Sequence, residues 1–99
     1  MTEKTFATHL HQDRRLTILK LLEALPAYCT NSSIIATALQ TQGLAASRDQ
    51  VRTDLHWLAE QGLLKAEEVG SVLIVSATER GLDVARGLAV VPGVNRPGA

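Results

Sequence analysis

The sequence has no excess of charge of either sign. Lys and Arg together number 10 and Asp and Glu together number 10, which gives a formal net charge of zero. Proteins that bind nucleic acid without sequence preference depend on a strong positive field, and this chain has none to offer. Neutrality also leaves self-association unopposed by charge repulsion, so it favours oligomers.

Cysteines, aromatic residues and long apolar runs are scarce as well. The single cysteine, Cys29, excludes an intrachain disulfide framework and fits a reducing compartment. Phe6, Tyr28 and Trp57 are the three aromatic residues, too few for stacking on single-stranded nucleic acid. No apolar run approaches the ~20 residues of a transmembrane helix, and the N-terminus lacks the apolar core of a signal peptide. We therefore expect a cytoplasmic protein without a membrane partner.

Motifs for catalysis or for a cofactor are also missing. The sequence contains no nucleophile elbow, no phosphate-binding loop and no paired-carboxylate motif. His9 and His11 are two residues apart, which places them on different faces of a helix, and Cys29 and His56 are distant in sequence. We predict no enzymatic activity, no cofactor and no metal site.

Ninety-nine residues are enough for one domain. We predict a folded domain over residues 13–90. Residues 1–12 are polar and form an N-terminal extension, a candidate dimer arm. Residues 91–99 are rich in Pro and Gly, which predicts a flexible tail.

The first half of the domain has the pattern of three helices. Asp13 is a candidate N-cap for a helix that runs to about Leu25, where Pro26 ends it. Asn31 or Ser32 caps a second helix that ends near Gly43. Ser47 and Gln50 form a capping box that opens a third helix, which ends near Gly62. The apolar positions of these helices fall at helical spacing: Ile18, Leu19, Leu22 and Leu25; Ile34, Ile35, Ala38 and Leu39; Val51, Leu55 and Leu58.

The periodicity then changes to that of strands. Residues 63–69 and 72–77 predict a hairpin, joined by a type II′ turn at Gly70-Ser71. The run from Val72 to Val75 is apolar on both faces, so we expect that strand to lie in the centre of a sheet or to be covered on both sides. Thr78 caps a last helix over about Glu79–Ala89.

This order of elements is the layout of a winged helix-turn-helix domain. The predicted fold is mainly α with a β-hairpin: a three-helix core, a two-stranded wing and a C-terminal helix. In such domains the third helix enters the major groove of DNA and presents its N-terminal residues to base edges and phosphates. The predicted DNA-binding residues are those that face away from the apolar stripe of this helix: Ser47, Arg48, Gln50, Arg52, Thr53 and His56.

Five stretches of the chain resemble a family of small winged-helix proteins of Mu-like bacteriophages and prophages. They are residues 13–16 (DRRL), 47–55 (SRDQVRTDL), 57–63 (WLAEQGL), 78–81 (TERG) and 91–94 (VPGV). The resemblance implies a phage-encoded protein that acts in the cytoplasm of a bacterial host, near replication, regulation or DNA packaging. The chain is also broadly similar to MarR-like and ArsR-like regulators, which implies the fold and, by analogy, DNA binding.

Two further sets of residues are candidates for binding. Arg14 and Arg15, at the start of the first helix, are either phosphate contacts or part of an ordinary solvated face. Trp57 flanks the buried stripe of the third helix and either packs inside the domain or anchors a partner. The predicted dimer or partner surface combines it with apolar residues near the two chain ends: Phe6, Leu10, Trp57, Leu82 and Leu88.

The sequence leaves two functions open. The first is a homodimeric DNA-binding protein, a phage-encoded transcriptional regulator or an accessory of DNA transactions. The second is a winged-helix module that binds another phage protein and no DNA. The layout of the elements and the donor-rich exposed face of the third helix favour the first function. The charges favour the second, because residues 47–56 carry two cations and two anions, and Glu67 and Glu68 lie at the base of the wing.

Overall fold

The computed structural model describes residues 5–98 and is mainly helical, with a small antiparallel sheet. Within that range the chain forms four α-helices, three strands and one turn of 3₁₀-helix. In chain order these are α1 (Phe6–Ala24), the 3₁₀ turn (Pro26–Tyr28), β1 (Cys29–Asn31), α2 (Ser32–Thr41), α3 (Arg48–Glu60), β2 (Leu64–Val69), β3 (Val72–Ala77) and α4 (Glu79–Ala85).

The first helix begins earlier than predicted. Its N-cap is Thr5 and not Asp13, because the Thr5 hydroxyl accepts a hydrogen bond from the backbone N–H of Thr8. No Pro or Gly interrupts residues 6–24, so the polar residues before Asp13 continue the same helix. The helix ends where predicted, with Leu25 in an extended conformation before Pro26.

The turn after α1 contains two residues in the left-handed region. Ala27 has a φ of 56° and Tyr28 has a φ of 55°, a conformation that costs a residue with a Cβ roughly 1–2 kcal/mol. Side chains brace this turn. Tyr28 forms a hydrogen bond with Arg86, which, together with the nearby Glu23, raises the pKa of the Arg86 guanidinium. Arg86 Nε also donates to Glu23 Oε2 (3.4 Å), so α1, the turn and the end of α4 are linked.

The caps predicted for α2 and α3 are confirmed. Asn31 accepts from the N–H of Ile34, and Ser47 and Gln50 bond reciprocally as a capping box. Both helices end just before the predicted glycines, Gly43 and Gly62. These local signals therefore fix the position of α2 and α3 along the chain.

The sheet has one strand that the periodicity did not predict. β1 is only three residues long, too short for an alternating pattern, and it pairs with β3. The strand order is β1-β3-β2, so β3 is central, as its apolar run predicted. The hairpin between β2 and β3 has the predicted two-residue turn, in which Gly70 has a φ of 60°.

The last helix is shorter than predicted. It ends at Ala85 and not near Ala89, because Arg86 caps it and Gly87 follows with a φ of 78°. The sequence predicted a flexible tail over residues 91–99, and residues 90–98 contain turns but no helix or strand. Val91 and Val94 are nevertheless buried, so this segment contributes to the hydrophobic core.

One core joins all the major elements. Most of the predicted stripe residues of the three helices are buried, and the central strand covers them. The exceptions are Leu25 and Ala38, which are half-buried, and Ile34, which is exposed. The fully buried side chains include Ile18, Leu19 and Leu22 of α1, Ile35 and Leu39 of α2, Leu55 and Leu58 of α3, and Val75 of β3. The side of α3 that faces away from this core is free to form a binding surface.

Candidate nucleic-acid interface

The predicted DNA-binding residues lie where α3 meets solvent. Ser47, Arg48, Gln50, Thr53 and His56 are exposed, and Arg52 is half-buried. Ser47 and Gln50 form the capping box, so their side chains are engaged at the start of the helix. We call the remaining surface, formed by Arg48, Asp49, Arg52, Thr53 and His56, the outer face of α3.

Both arginines of the outer face contact the hairpin. Arg48 Nη2 donates to the backbone carbonyl of Ser71 (2.9 Å), in the turn between β2 and β3. Arg52 Nη2 forms an ion pair with Glu68 Oε1, near the end of β2. The Arg52 side chain is 25% exposed and the Glu68 side chain 58% exposed, so solvent reaches this pair. The outer face of α3 and the tip of the hairpin therefore form one continuous surface.

The structure removes one negative charge from this surface. Asp54 is one of the two anions of residues 47–56, but its side chain is 1% exposed and points to the other side of α3. On the outer face of α3, the positive charges of Arg48 and Arg52 are therefore balanced only by the negative charge of Asp49. That change leaves the face with one net positive charge before Glu68 is counted.

Asp54 is the centre of a buried polar cluster. Its Oδ2 accepts from Arg14 Nε (2.5 Å), and its Oδ1 accepts from Arg15 Nε (3.1 Å). Arg14 Nη2 also donates to His11 Nδ1 (2.9 Å). We call Asp54, Arg14, Arg15 and His11 the Asp54 cluster; it fixes α3 against α1.

The two arginines of α1 therefore have a different role from either one predicted. The Arg14 side chain is 7% exposed, so it is neither on a solvated face nor open to a phosphate, and the Arg15 side chain is only 17% exposed. Arg14 lies one helical turn before Ile18, and Asp54 lies three residues after Val51, so both are on buried stripes. A carboxylate on an apolar stripe was the signal that could have predicted a buried partner cation.

Trp57 packs inside the domain, which was one of its two predicted roles. The Arg15 guanidinium carbon lies 4.1 Å from the centroid of the indole ring. Gly93 covers the same ring so closely that a Cβ there would come within 2.7 Å of two ring carbons. Arg15 Nη1 donates to the Gly93 carbonyl (3.1 Å), so the C-terminal segment is held against α1 and α3.

Only some residues of the predicted dimer surface are exposed. Phe6 is 78% exposed and Leu88 is 75% exposed, whereas Leu10 is half-buried. Leu82 was wrongly assigned to this surface: it is 8% exposed, because its side of α4 faces the core.

Comparison with known proteins identifies the relatives of the chain. It is 44% identical over 88 residues to the uncharacterised protein gp26 of Escherichia phage Mu, covering 89% of this chain and 91% of gp26. The chain belongs to the family of phage Mu gp26. This gp26-family protein is also 42% identical over 79 residues to an uncharacterised protein of Haemophilus influenzae, covering 79% of this chain and 76% of that protein. No family model and no solved structure matches the chain.

Four of the stretches that resemble Mu-like phage proteins meet in space. Arg14 and Arg15 come from DRRL, Asp54 from SRDQVRTDL, Trp57 from WLAEQGL and Gly93 from VPGV. In this gp26-family protein they are parts of one arrangement that supports the inner side of α3. The motifs thus account for the placement of α3, while its outer face carries the candidate interface.

Residues 5–98 offer neither a metal site nor a membrane-spanning helix. No group of three or more His, Cys, Asp and Glu side chains in this range is arranged to hold a metal ion. None of the helices in this range is both long and apolar enough to cross a membrane.

Proposed function

We propose that this gp26-family protein is a winged helix-turn-helix protein that binds duplex DNA as a homodimer through α3. The observation that carries the proposal is the joint surface of α3 and the hairpin. The outer face of α3 is exposed over its first three turns, and the wing turn lies beside its N-terminus through Arg48 and Ser71. The 13 residues of α3 span about 20 Å, and the major groove of B-DNA admits a helix.

The connectivity supports the winged-helix assignment. A short strand between α1 and α2 pairs with the second strand of the hairpin, so the sheet order is β1-β3-β2. In this arrangement the sheet packs against α2 and α3, and the hairpin turn extends beside α3. In helix-turn-helix proteins the second helix of such a pair reads base edges.

The chemistry of the outer face suits base readout better than phosphate binding. Arg48 and Arg52 have the donor geometry for the O6 and N7 acceptors of guanine, and Thr53 can contact either kind of base pair. The outer face of α3 carries one net positive charge, and the Glu68 carboxylate paired with Arg52 offsets it, so each subunit makes few phosphate contacts. Each contact contributes a slope of only about −0.9 to the salt dependence. A dimer doubles the footprint, so we propose a regulator or accessory of phage DNA transactions that binds two half-sites in the bacterial cytoplasm.

The test is a selection of duplexes from a random library at low salt, followed by fluorescence anisotropy on the selected site. Arg48→Ala and Arg52→Ala should each weaken binding by about 1–3 kcal/mol if each side chain makes a bidentate base contact. Lys65→Ala, a change of an exposed cation on β2, is the matched control and should have a smaller effect. Failure of the wild-type protein to bind any duplex at low salt would refute the proposal.

The dimer is tested separately by analytical ultracentrifugation. Replacing the exposed Phe6 and Leu88 by Ser should shift the protein from dimer to monomer, whereas Val69→Ser, at a 51% exposed position on the hairpin, should not. A wild-type protein that is monomeric at concentrations of about 100 µM, or a double variant that remains dimeric, contradicts this part of the proposal.

A second function is favoured by one observation. The segment from Thr30 to Ser47, which includes all of α2, contains no charged residue, and Ile34 on α2 is 52% exposed. A neutral helix with an exposed aliphatic side chain is better suited to a protein surface than to phosphates. We therefore keep, as the alternative, a module that binds another phage protein. This alternative is favoured if the wild-type protein binds no duplex but captures a phage protein, and if an Ile34→Asp variant that keeps the fold loses that capture.

A further inference from the structure

The acidic residue that contacts Arg52 has a consequence for binding selectivity. We infer that Glu68 is a specificity-determining residue of the proposed DNA interface, which weakens contacts with phosphates and orients Arg52 for a base edge. The inference rests on the proposed function, because it concerns the same surface of α3 and the hairpin.

The first step is the geometry of the ion pair. Glu68 lies near the end of β2 and Arg52 lies one helical turn after Arg48 on the outer face of α3. The pair is joined by one contact, between Oε1 of Glu68 and Nη2 of Arg52. A guanidinium has five N–H donors, so a single carboxylate contact leaves enough donors for a contact with a base. The carboxylate therefore orients the guanidinium without using all of its donors.

The second step is the electrostatics of the surface around the pair. Glu67 and Glu68 are both exposed at the end of β2, and Lys65 is the nearby cation on the same strand. A phosphate that approaches Arg52 must compete with a carboxylate that is already bound and must come close to its negative charge. This repulsion weakens phosphate contacts with every duplex alike, so a larger share of the affinity must come from base contacts that only the right sequence provides.

The third step is the alternation of side chains along β2. Successive residues of a strand point to opposite faces, so Glu67 and Glu68 are on different faces of the hairpin. Glu68 is on the face towards α3, where it contacts Arg52. The two glutamates carry the same charge at adjacent positions, but Glu68 is the one paired with Arg52. This difference provides a matched control within the chain.

The experiment compares Glu68→Gln with Glu67→Gln in the full chain. Binding is measured for the duplex selected by the wild-type protein and for a random-sequence duplex of the same length, at two salt concentrations. Glu68→Gln should raise the affinity for the random duplex about two- to fivefold, the range expected for release of an exposed ion pair. It should lower the ratio of selected to random affinity, whereas Glu67→Gln should leave that ratio close to the wild-type value.

A third variant tests whether Glu68 acts through Arg52. In an Arg52→Ala background, Glu68→Gln should no longer change the affinity ratio. The inference is overturned if the two glutamine variants behave alike, or if the ratio is unchanged while duplex is bound. If neither the wild-type protein nor any variant binds duplex at low salt, the proposed function fails and this inference fails with it. Thermal melting of each variant checks that the fold is retained.

Discussion

Asp54→Asn offers the sharpest test of how α3 is held in place. The substitution keeps the size of the side chain but removes the charge that faces two guanidinium groups. Arg14 is almost completely buried, so its charge would lose its closest counter-charge without gaining access to water. Removing one partner of a buried ion pair costs about 3–5 kcal/mol. Domains of this size have unfolding free energies of roughly 5–15 kcal/mol, so the loss would be a large share of the total.

The assay is thermal and urea denaturation followed by circular dichroism. A loss of 3–5 kcal/mol should lower Tm by at least about 12 °C, since 1 kcal/mol corresponds to roughly 4–8 °C for a chain of this length. Asp49→Asn is the matched control on the same helix: Asp49 is exposed, and only its favourable position near the N-terminus of α3 is lost, about 0.3–1 kcal/mol.

A double-mutant cycle isolates the pair itself. Arg14→Met fills a similar volume without a charge, so combining it with Asp54→Asn should cost clearly less than the sum of the two single changes. Two results would refute the reasoning: a Tm for Asp54→Asn within a few degrees of the wild-type value, or strict additivity in the cycle.

Two further predictions concern backbone conformation, and both are measured by denaturation. Gly93→Ala should lose about 2 kcal/mol or more, because the new Cβ meets the Trp57 ring at 2.7 Å and the residue has a φ of 98°. Gly87→Ala is its control: it also has a positive φ, 78°, but the nearest contact of its Cβ would be 3.8 Å, so equal losses would contradict the role given to Trp57. Ala27→Gly should stabilise the protein by roughly 0.5–1 kcal/mol, because glycine relieves the strain at a φ of 56° and this relief exceeds the entropy it costs. Ala45→Gly, in the loop before α3, should instead be neutral or destabilising, and a loss of stability in Ala27→Gly would show that the turn is not strained.

Local signals were sufficient to predict the elements in the middle of the chain. Asn31, Ser47 and Gln50 act through hydrogen bonds to residues three positions away, so the cap can be recognised from neighbouring letters alone. The Gly70-Ser71 turn is similar, because its two residues determine the register of the hairpin. For the same reason, the face of α3 that points to solvent could be predicted before the structure was known.

Features that depend on distant contacts could not be predicted in this way. β1 is a strand only because it pairs with β3, and its three residues, Cys29 to Asn31, are too few to show an alternating pattern. Arg14 is paired with a residue 40 positions away, which no local rule connects to it. The buried positions of Val91 and Val94 likewise depend on a surface that α1 and α3 provide. At the candidate site, periodicity was enough to predict which residues of α3 are exposed. The net charge of the site could not be predicted, because it depends on the burial of Asp54.

The C-terminal segment affects the order in which this protein can complete its folding. The carbonyl of Gly93 accepts a hydrogen bond from Arg15, 78 positions earlier in the chain. Asn95 contacts both the backbone carbonyl of Gln12 and the side chain of Asp13. During synthesis α1 and α3 emerge before these residues do, so Arg15 can stack on the Trp57 ring before Gly93 reaches it. A chain cut short before Gly93 lacks the contact between Gly93 and Trp57 and is expected to hold α3 against α1 less firmly.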